Sequence, residues 1–442
     1  MPVTRFHAAL AWIGAGPVAD VLIELADGRF TAVAQGVPAP PGAQRLAGLT
    51  LPGLANAHAH AFHRALRGRT QGGRGTFWTW RDRMYAVAER LDPDRYHALA
   101  RAVYAELALA GVTCVGEFHY VHHAPGGRRY ADPNAMGAAL VAAAADAGIR
   151  ITLLDTCYLS STVDGRPLVG VQRRFGDGDA PAWAERVDAF KPAGGHVRLG
   201  AAIHSVRAVP ADQMPAVVDW SATRDAPLHV HLSEQRAENE ASLAYLGRTP
   251  TEVLSDAGAL GGRTTVVHAT HLSDSDRTEL GDTETAACFC PTTERELADG
   301  LGPAGPLYDA GSPLCLGSDS HAVVDLFEEA RALELDERLR TEQRGHFTPA
   351  QLVEAATRAG HRALGWPDAG AIAVGNRADL VTVRLDSVRT AGCEPAAIVF
   401  AAAAADVAHV VVDGRPVVRD GVHCGLPGTA EALRAAVAEV NP

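Results

Sequence analysis

The stretch LPGLANAHAHAFHRAL, residues 51–66, sets two histidines two positions apart at the end of an apolar run. Side chains alternate between the two faces of a strand, so His58 and His60 project to the same side. Two neutral imidazoles placed like this can hold Zn²⁺ or a similar ion. A bare HxH also occurs without a metal, so the reading turns on what the rest of the chain supplies.

Further along the chain, LTLPGLANAHAH is the first of a series of short apolar runs. It is followed by VTCVGEFHY, ITLLDTCYL, VRLGAAIHSV, PLHVHLSE, TTVVHATHL, TAACFCPTT and PLCLGSDSH. Amphipathic stretches with helix-start signals lie between and after them. Asp92-Pro93 precedes RYHALARAVYAELALAG, Thr249-Pro250 precedes TEVLSDAG, and Thr348-Pro349 precedes AQLVEAATRAGHRALG. Eight strands alternating with helices predict a (β/α)₈ TIM-like barrel, with DLFEEARALELDERLRTE following the eighth strand. A doubly wound open sheet is the alternative, but no glycine-rich phosphate turn follows any of these runs. The ends of the chain read differently. DVLIELADGRFTAVAQG and HVVVDGRPVVRDG alternate with period two around Asp27-Gly28 and Asp413-Gly414, which are hairpin signals. Neither end has strands enough for a core of its own. The expected organisation is a barrel over residues 51–366 and a small β-sandwich domain built jointly from residues 1–50 and 367–442.

Composition narrows the class. The chain has 442 residues and a net charge of −12, which argues against a general nucleic-acid binder. Lys191 is the only lysine, and the basic residues are otherwise arginine. The seven cysteines show no CxxC spacing, which fits a reducing compartment better than a disulfide framework. No secretory leader or membrane-length apolar run is evident, so a cytoplasmic location without membrane or nucleic-acid partners is expected.

In a barrel enzyme the site gathers at the C-terminal ends of the strands. Here those ends carry His58 and His60 on the first strand, His204 on the fourth, His231 on the fifth, His268 on the sixth and Asp319 on the eighth. A lone strand histidine is more often structural than a ligand, but six such residues on five strand ends point to one metal site. His58, His60, His231 and Asp319 form a set suited to one Zn²⁺, with Fe²⁺ or Mn²⁺ as alternatives and room for a water of lowered pKa. His229 stands two before His231 and is the alternative ligand. Glu234 follows His231 by three, where a carboxylate can pass protons to a leaving nitrogen; its bland reading is a loop or capping glutamate.

PGLANAHAH, HVHLSE, VVHATHL, LGSDSH and the C-terminal GAIAVGNRADLVTV resemble, in order and spacing, the amidohydrolase superfamily, over nearly the whole chain. The resemblance implies a distorted barrel in which a metal-activated water attacks a polarised carbon. Some members bridge two metals with a carboxylated lysine at the end of strand four. This chain has none there, since Lys191 precedes that strand, which implies one metal.

Within the superfamily, TFWTWRDRMY, GEFHYVHH, HSVRAVP and LGSDSHAVVDLFEEAR resemble the formimidoylglutamate deiminases. That implies hydrolysis of N-formimino-L-glutamate to N-formyl-L-glutamate and ammonia, in histidine degradation. Arg81 and Arg207 can each offer a forked pair of donors to a carboxylate of a small dianionic substrate. Tyr120, His204 and His63 are further candidate substrate contacts. His63 departs from the glutamine that the resemblance puts at its position, although an imidazole can still donate a hydrogen bond. In the implied reaction Asp319 or His268 takes the water's proton, Glu234 protonates the departing nitrogen and His268 stabilises the tetrahedral intermediate. Related barrels often dimerise, so a homodimer is expected. The rival readings are a nucleobase or aminotriazine deaminase, a non-catalytic scaffold barrel and a metal-storage protein.

Overall fold

A computed structural model describes residues 3–72, 75 and 77–441. Its strands are β1 (Thr4–Ile13), β2 (Gly16–Ala26), β3 (Arg29–Ala34), β4 (Gln44–Pro52), β5 (Leu54–Ala59), β6 (Val112–His119), β7 (Arg150–Cys157) and β8 (Val197–Ile203). They continue with β9 (Leu228–Leu232), β10 (Thr264–His268), β11 (Ala286–Phe289), β12 (Leu314–Leu316), β13 (Leu380–Val383), β14 (Val407–Val412), β15 (Arg415–Arg419) and β16 (Val422–His423). Strands β5 to β12 form one sheet of eight parallel strands in sequential order. The ring closes where Ala59 bridges Asp319: His60 N–H donates to the Asp319 carbonyl at 3.1 Å and Asp319 N–H to the His58 carbonyl at 3.0 Å. The result is the expected (β/α)₈ barrel. Its strands are covered on both faces, and every residue of β5, β6 and β7 is buried, the polar ones included.

The helix signals act as read. Asp92 caps Pro93–Leu109 by accepting from Arg95 N–H at 2.8 Å, and Thr249 with Glu252 forms a capping box on Pro250–Asp256. Thr348 does the same with Gln351 ahead of the helical segment that begins at Pro349–Glu354.

The chain ends meet in a second, mixed sheet, ordered β16-β15-β14-β13-β4-β1-β2-β3. Asp27-Gly28 and Asp413-Gly414 both have positive φ at both residues, as a two-residue hairpin turn requires. Phe6, Ile23, Phe30, Leu380 and Val411 meet in this sheet's own apolar core. The first apolar run of the sequence is divided by Gly53 between the two sheets, β4 in one and β5 in the other. A Cβ on Gly53 would lie 2.3 Å from Thr113 Oγ1 and 2.7 Å from the Asp379 Cβ, so only glycine fits at this crossing. The last helix, Thr429–Val440, leaves the sheet and packs against Pro93–Leu109. Among the described residues no helix is long and apolar enough to cross a membrane.

Candidate metal centre and substrate pocket

The seam that closes the barrel also assembles the metal-type residues. Asn56 and Ser318 clasp each other across it: Asn56 Nδ2 donates to Ser318 Oγ at 2.7 Å, and Ser318 N–H donates to Asn56 Oδ1 at 2.8 Å. Gly317 allows this approach, since a Cβ there would come within 2.7 Å of the His58 carbonyl oxygen. His58, His60 and Asp319 are thereby fixed one residue either side of paired backbone, and β9 adds His231 from across the barrel.

Four donor atoms converge. His58 Nε2 lies 3.1 Å from His231 Nε2, and Asp319 Oδ1 lies 3.4 Å from His58 Nε2 and 3.3 Å from His60 Nε2. His60 Nδ1–H donates to the Phe118 carbonyl and His231 Nδ1–H to the His204 carbonyl, both at 2.9 Å. With those protons committed, the Nε2 lone pairs of both rings point inward beside a carboxylate. Burial, reinforced by neighbouring imidazoles, holds the pKa of all three histidines well below the ordinary value and keeps them neutral. Tetrahedral ligands at Zn–N and Zn–O lengths of about 2.0–2.1 Å sit about 3.3–3.4 Å apart. The residues therefore fit a divalent ion, and converging lone pairs of this kind are a poor arrangement without one. His229, the alternative ligand, is elsewhere: its Nε2 is bonded to the Ala363 carbonyl at 2.9 Å.

Above the convergence, one pocket is lined by His60, His63, Arg81, Tyr120, His204, Arg207, His231, Glu234, His268 and Asp319. Apart from His229, the candidates from the sequence are therefore at this mouth, with His58 fully buried beneath. The space left among them is about 50 Å³. His63 Nε2 and the Tyr120 hydroxyl are hydrogen-bonded at 3.0 Å, and Tyr158 packs on the His204 ring with centroids 4.4 Å apart. Thr76, the first residue of TFWTWRDRMY, lies outside the described residues.

The electrostatics divide the groups by role. Burial would lower His268, but the carboxylates of Glu234, Asp319 and Glu294 outweigh it and raise the pKa to about 10. Its Nδ1 is 3.3 Å from Glu294 Oε1, and its Nε2 is 3.9 Å from Asp319 Oδ2. Burial also pushes Glu234 above the usual carboxylate range, against the pull of His268 and Arg207. Left-handed backbone at Ser233, His268, Ala269, Asp319 and His321 marks the ends of three of these strands, a strain typical of functional sites.

Sequence reading missed Glu294. It stands four residues past Cys290 at the end of the seventh strand, accepts Cys290 N–H at 2.8 Å and orients His268. It lies in the helix Pro291–Leu297 just past that strand, where nothing in the local sequence marks it as a partner of His268. A second cluster, His119, His122 and Asp155, also brings ligand-type atoms together. There Arg186 donates to both Asp155 oxygens, at 2.7 and 3.0 Å, and Trp183 Nε1 adds a third bond, so a cation would meet a guanidinium. That cluster is a structural ion pair.

Comparison with known proteins adds the family. Residues 49–417 match the amidohydrolase family model. The chain belongs to that family. It is 38% identical over 409 residues to a formimidoylglutamate deiminase of Pseudomonas aeruginosa, covering 89% of each chain. It is 31% identical over 388 residues to an 8-oxoguanine deaminase of the same organism, covering 86% of this chain and 84% of that one. The crystal structure of an amidohydrolase from Brucella melitensis superposes with a TM-score of 0.91 at 31% identity, over 99% of both chains. The protein is thus an amidohydrolase-type deaminase, a hydrolase acting on C–N bonds, and its His/Asp centre is where the metal of such an enzyme would be held.

Proposed function

We propose that this amidohydrolase deiminates N-formimino-L-glutamate to N-formyl-L-glutamate and ammonia. The observation that carries the reading is a pair of arginines without carboxylate partners. Arg81 Nε and Arg207 Nη1 are shielded from solvent with no hydrogen-bond partner, and neither guanidinium makes an ion pair among the described residues. Both arginines are part-buried, and the Glu238 and Glu234 charges stabilise Arg207 without a direct bond. The free N–H groups of the pair are therefore available to an anionic ligand that binds in the pocket. A glutamate-derived substrate brings two carboxylates.

His58, His60, His231 and Asp319 would hold the divalent ion, with Zn²⁺ favoured by the three imidazoles. Such an ion would lower the pKa of a bound water toward neutrality, so that its proton is readily given up. Asp319, with an oxygen on each side of the centre, accepts the water's proton as the formimino carbon is attacked. His268, held protonated by its carboxylates, has Nε2 facing Asp319 Oδ2 and donates to the oxygen being added, stabilising the tetrahedral intermediate. Glu234 protonates the nitrogen as the carbon is attacked. The added hydroxyl then gives its remaining proton to Asp319, and a second proton reaches the nitrogen through Glu234. C=O forms as the C–N bond breaks, and ammonia leaves with both of the water's protons. The helix Phe77–Arg90 contributes Phe77, Trp80, Arg81 and Tyr85 to one wall of the pocket. The free cysteines, five of them buried, suit a cytoplasmic enzyme of histidine degradation.

The aromatic lining supports a second reading, since Phe77, Trp80, Tyr120, Tyr158 and Phe175 could stack on a flat base. The test is ammonia release by zinc-loaded protein from N-formimino-L-glutamate beside N-formimino-glycine, guanine and cytosine. Release from formimino-glutamate alone, with N-formylglutamate as product, is the expected result. Release from a base alone would overturn the glutamate reading and leave the hydrolytic chemistry standing.

A further inference from the structure

The wall of the pocket that carries the two arginines also carries two tyrosines outside the set of candidates drawn from the sequence. Tyr85 lies on the helix Phe77–Arg90, four residues after Arg81, and Tyr158 directly follows β7. Their hydroxyls share one neighbour. Gln172, buried in the short turn Gly170–Arg174, donates from Nε2 to the Tyr85 oxygen at 3.2 Å and to the Tyr158 oxygen at 3.3 Å. The amide's orientation is fixed independently, because its Oε1 accepts Val169 N–H at 3.3 Å and only an oxygen can do so.

That orientation assigns the protons. An amide nitrogen carries two hydrogens, and here one goes to each phenol oxygen. Each phenol therefore accepts from Gln172 and must send its own hydrogen elsewhere. Both tyrosines line the pocket, and the Arg81 guanidinium lies over the Tyr85 ring at 5.4 Å from its centroid. Phe175 backs both rings, at 6.0 Å from Tyr85 and 5.4 Å from Tyr158, and so limits their rotation. Burial raises the Tyr85 pKa, which keeps the proton on that phenol. Two guanidiniums and two O–H groups thus share one wall. Neither guanidinium makes a direct ion pair among the described residues, although the Glu238 and Glu234 charges stabilise Arg207.

We infer that Tyr85 and Tyr158, aimed by Gln172, donate to a carboxylate of the substrate and, with Arg81 and Arg207, form the subsite that selects for it. Gln172 is a positioning residue, acting through the two hydroxyls. The inference rests on the dicarboxylate reading of the pocket and assigns further residues to it. Selection arises because a substrate without that carboxylate leaves these donors without an anion, whereas a glutamate-derived one satisfies them together.

The experiment uses the intact zinc-loaded enzyme and the variants Tyr85→Phe, Tyr158→Phe and Gln172→Leu. Each is measured with N-formimino-L-glutamate and with N-formimino-glycine, which lacks the side-chain carboxylate, and each is titrated with glutarate as a non-reacting dicarboxylate probe. Each tyrosine variant is expected to raise KM for formimino-glutamate and weaken glutarate binding about tenfold, equivalent to about 1.4 kcal/mol, while kcat changes less than about threefold. Gln172→Leu should do the same without touching the ligand, and formimino-glycine turnover should be unmoved by all three. Wild-type ammonia release from formimino-glutamate combined with unchanged KM and glutarate affinity in the variants would overturn the inference alone. No wild-type release from formimino-glutamate would overturn the function it rests on. Circular dichroism and zinc content on each variant separate either result from misfolding, and a variant that fails to fold is replaced by Tyr158→Met or Gln172→Met.

Discussion

The two ends of the barrel both bury arginines, and they treat them in opposite ways. At the N-terminal end, Arg150 at the start of β7 forks onto the Asp379 carboxylate, reaches Asp413 Oδ1 at 3.1 Å and lies over the Trp366 ring. Arg377 joins the same Asp413 at 3.0 Å, and Asp413 N–H donates back to Asp379 at 2.9 Å. Every charge there has a partner, and the network bolts the barrel to the small sheet. At the C-terminal mouth, Arg81 and Arg207 have no carboxylate partner among the described residues, and three neutral histidines face a carboxylate around a common point. The first arrangement is complete in the folded chain; the second is completed by what it binds. Size alone would mislead, because a cleft of about 810 Å³ lies at the paired end, lined by Arg150, Arg377 and Asp413.

Substitutions can break this contrast. The largest effect is expected from Asp319→Asn, which removes one anionic ligand and the proton acceptor together. Ammonia release should fall by about 10⁴-fold or more with loss of bound zinc, read by kinetics and by metal analysis. Retained metal and activity would remove Asp319 from the centre. Glu234→Gln should lower kcat by about 10²–10⁴-fold while zinc stays bound, the signature of a lost proton donor. Unaltered kcat would return Glu234 to its bland role as a loop residue.

A sharper test exchanges the two kinds of arginine. Arg150→Met strands Asp379 in a buried site and should cost about 3–5 kcal/mol by denaturant unfolding. Arg207→Met removes a cation that makes no direct ion pair, though Glu238 and Glu234 lie near it. It should cost less stability than Arg150→Met, while kcat/KM for a dicarboxylate substrate falls about 100-fold or more. Equal destabilisation by both would erase the distinction drawn between the two ends.

The smallest effect is a pH dependence at the paired end. His361 donates to the Gly53 carbonyl at 3.1 Å; burial, aided by the Arg150 charge, lowers its pKa from 6.5 to about 4. Below pH 6.5 the unfolded chain takes up a proton that folded His361 refuses until about pH 4. Stability is therefore full above about pH 6.5 and declines between about pH 6.5 and 4, by up to about 3 kcal/mol from this group. His361→Gln should flatten that part of the stability profile, and an unchanged slope would locate the proton uptake elsewhere.

Much of this is legible in the residues alone. Alternation puts His58 and His60 on one face, and the spacing of strands puts His231, His268 and Asp319 at the same end of the barrel. The Asp27-Gly28 and Asp413-Gly414 turns, and the capping residues at 92, 249 and 348, are local devices whose signal lies within a few residues. Glu294 is not legible, because its role depends on where His268's other nitrogen points, and those two residues come together only across neighbouring strands. Gln172 is a stronger case: its function lies in two tyrosines, one 87 positions before it and one 14 before it. The division of the first apolar run at Gly53 is hidden too, since both halves are equally apolar and only the crossing of two sheets tells them apart.

The sequence by itself determined the barrel, the paired chain ends and the set of metal-type residues, because periodicity, turn chemistry and strand-end placement are short-range properties. Only the tertiary structure decided between His231 and His229, which share a face of one strand. The choice is made by depth, where His229 meets the Ala363 carbonyl and His231 meets His58. Likewise only the fold showed which arginines are paired and which are left open. Charge pairing is a matter of distance in space, and the partners of Arg150 come from more than two hundred residues away.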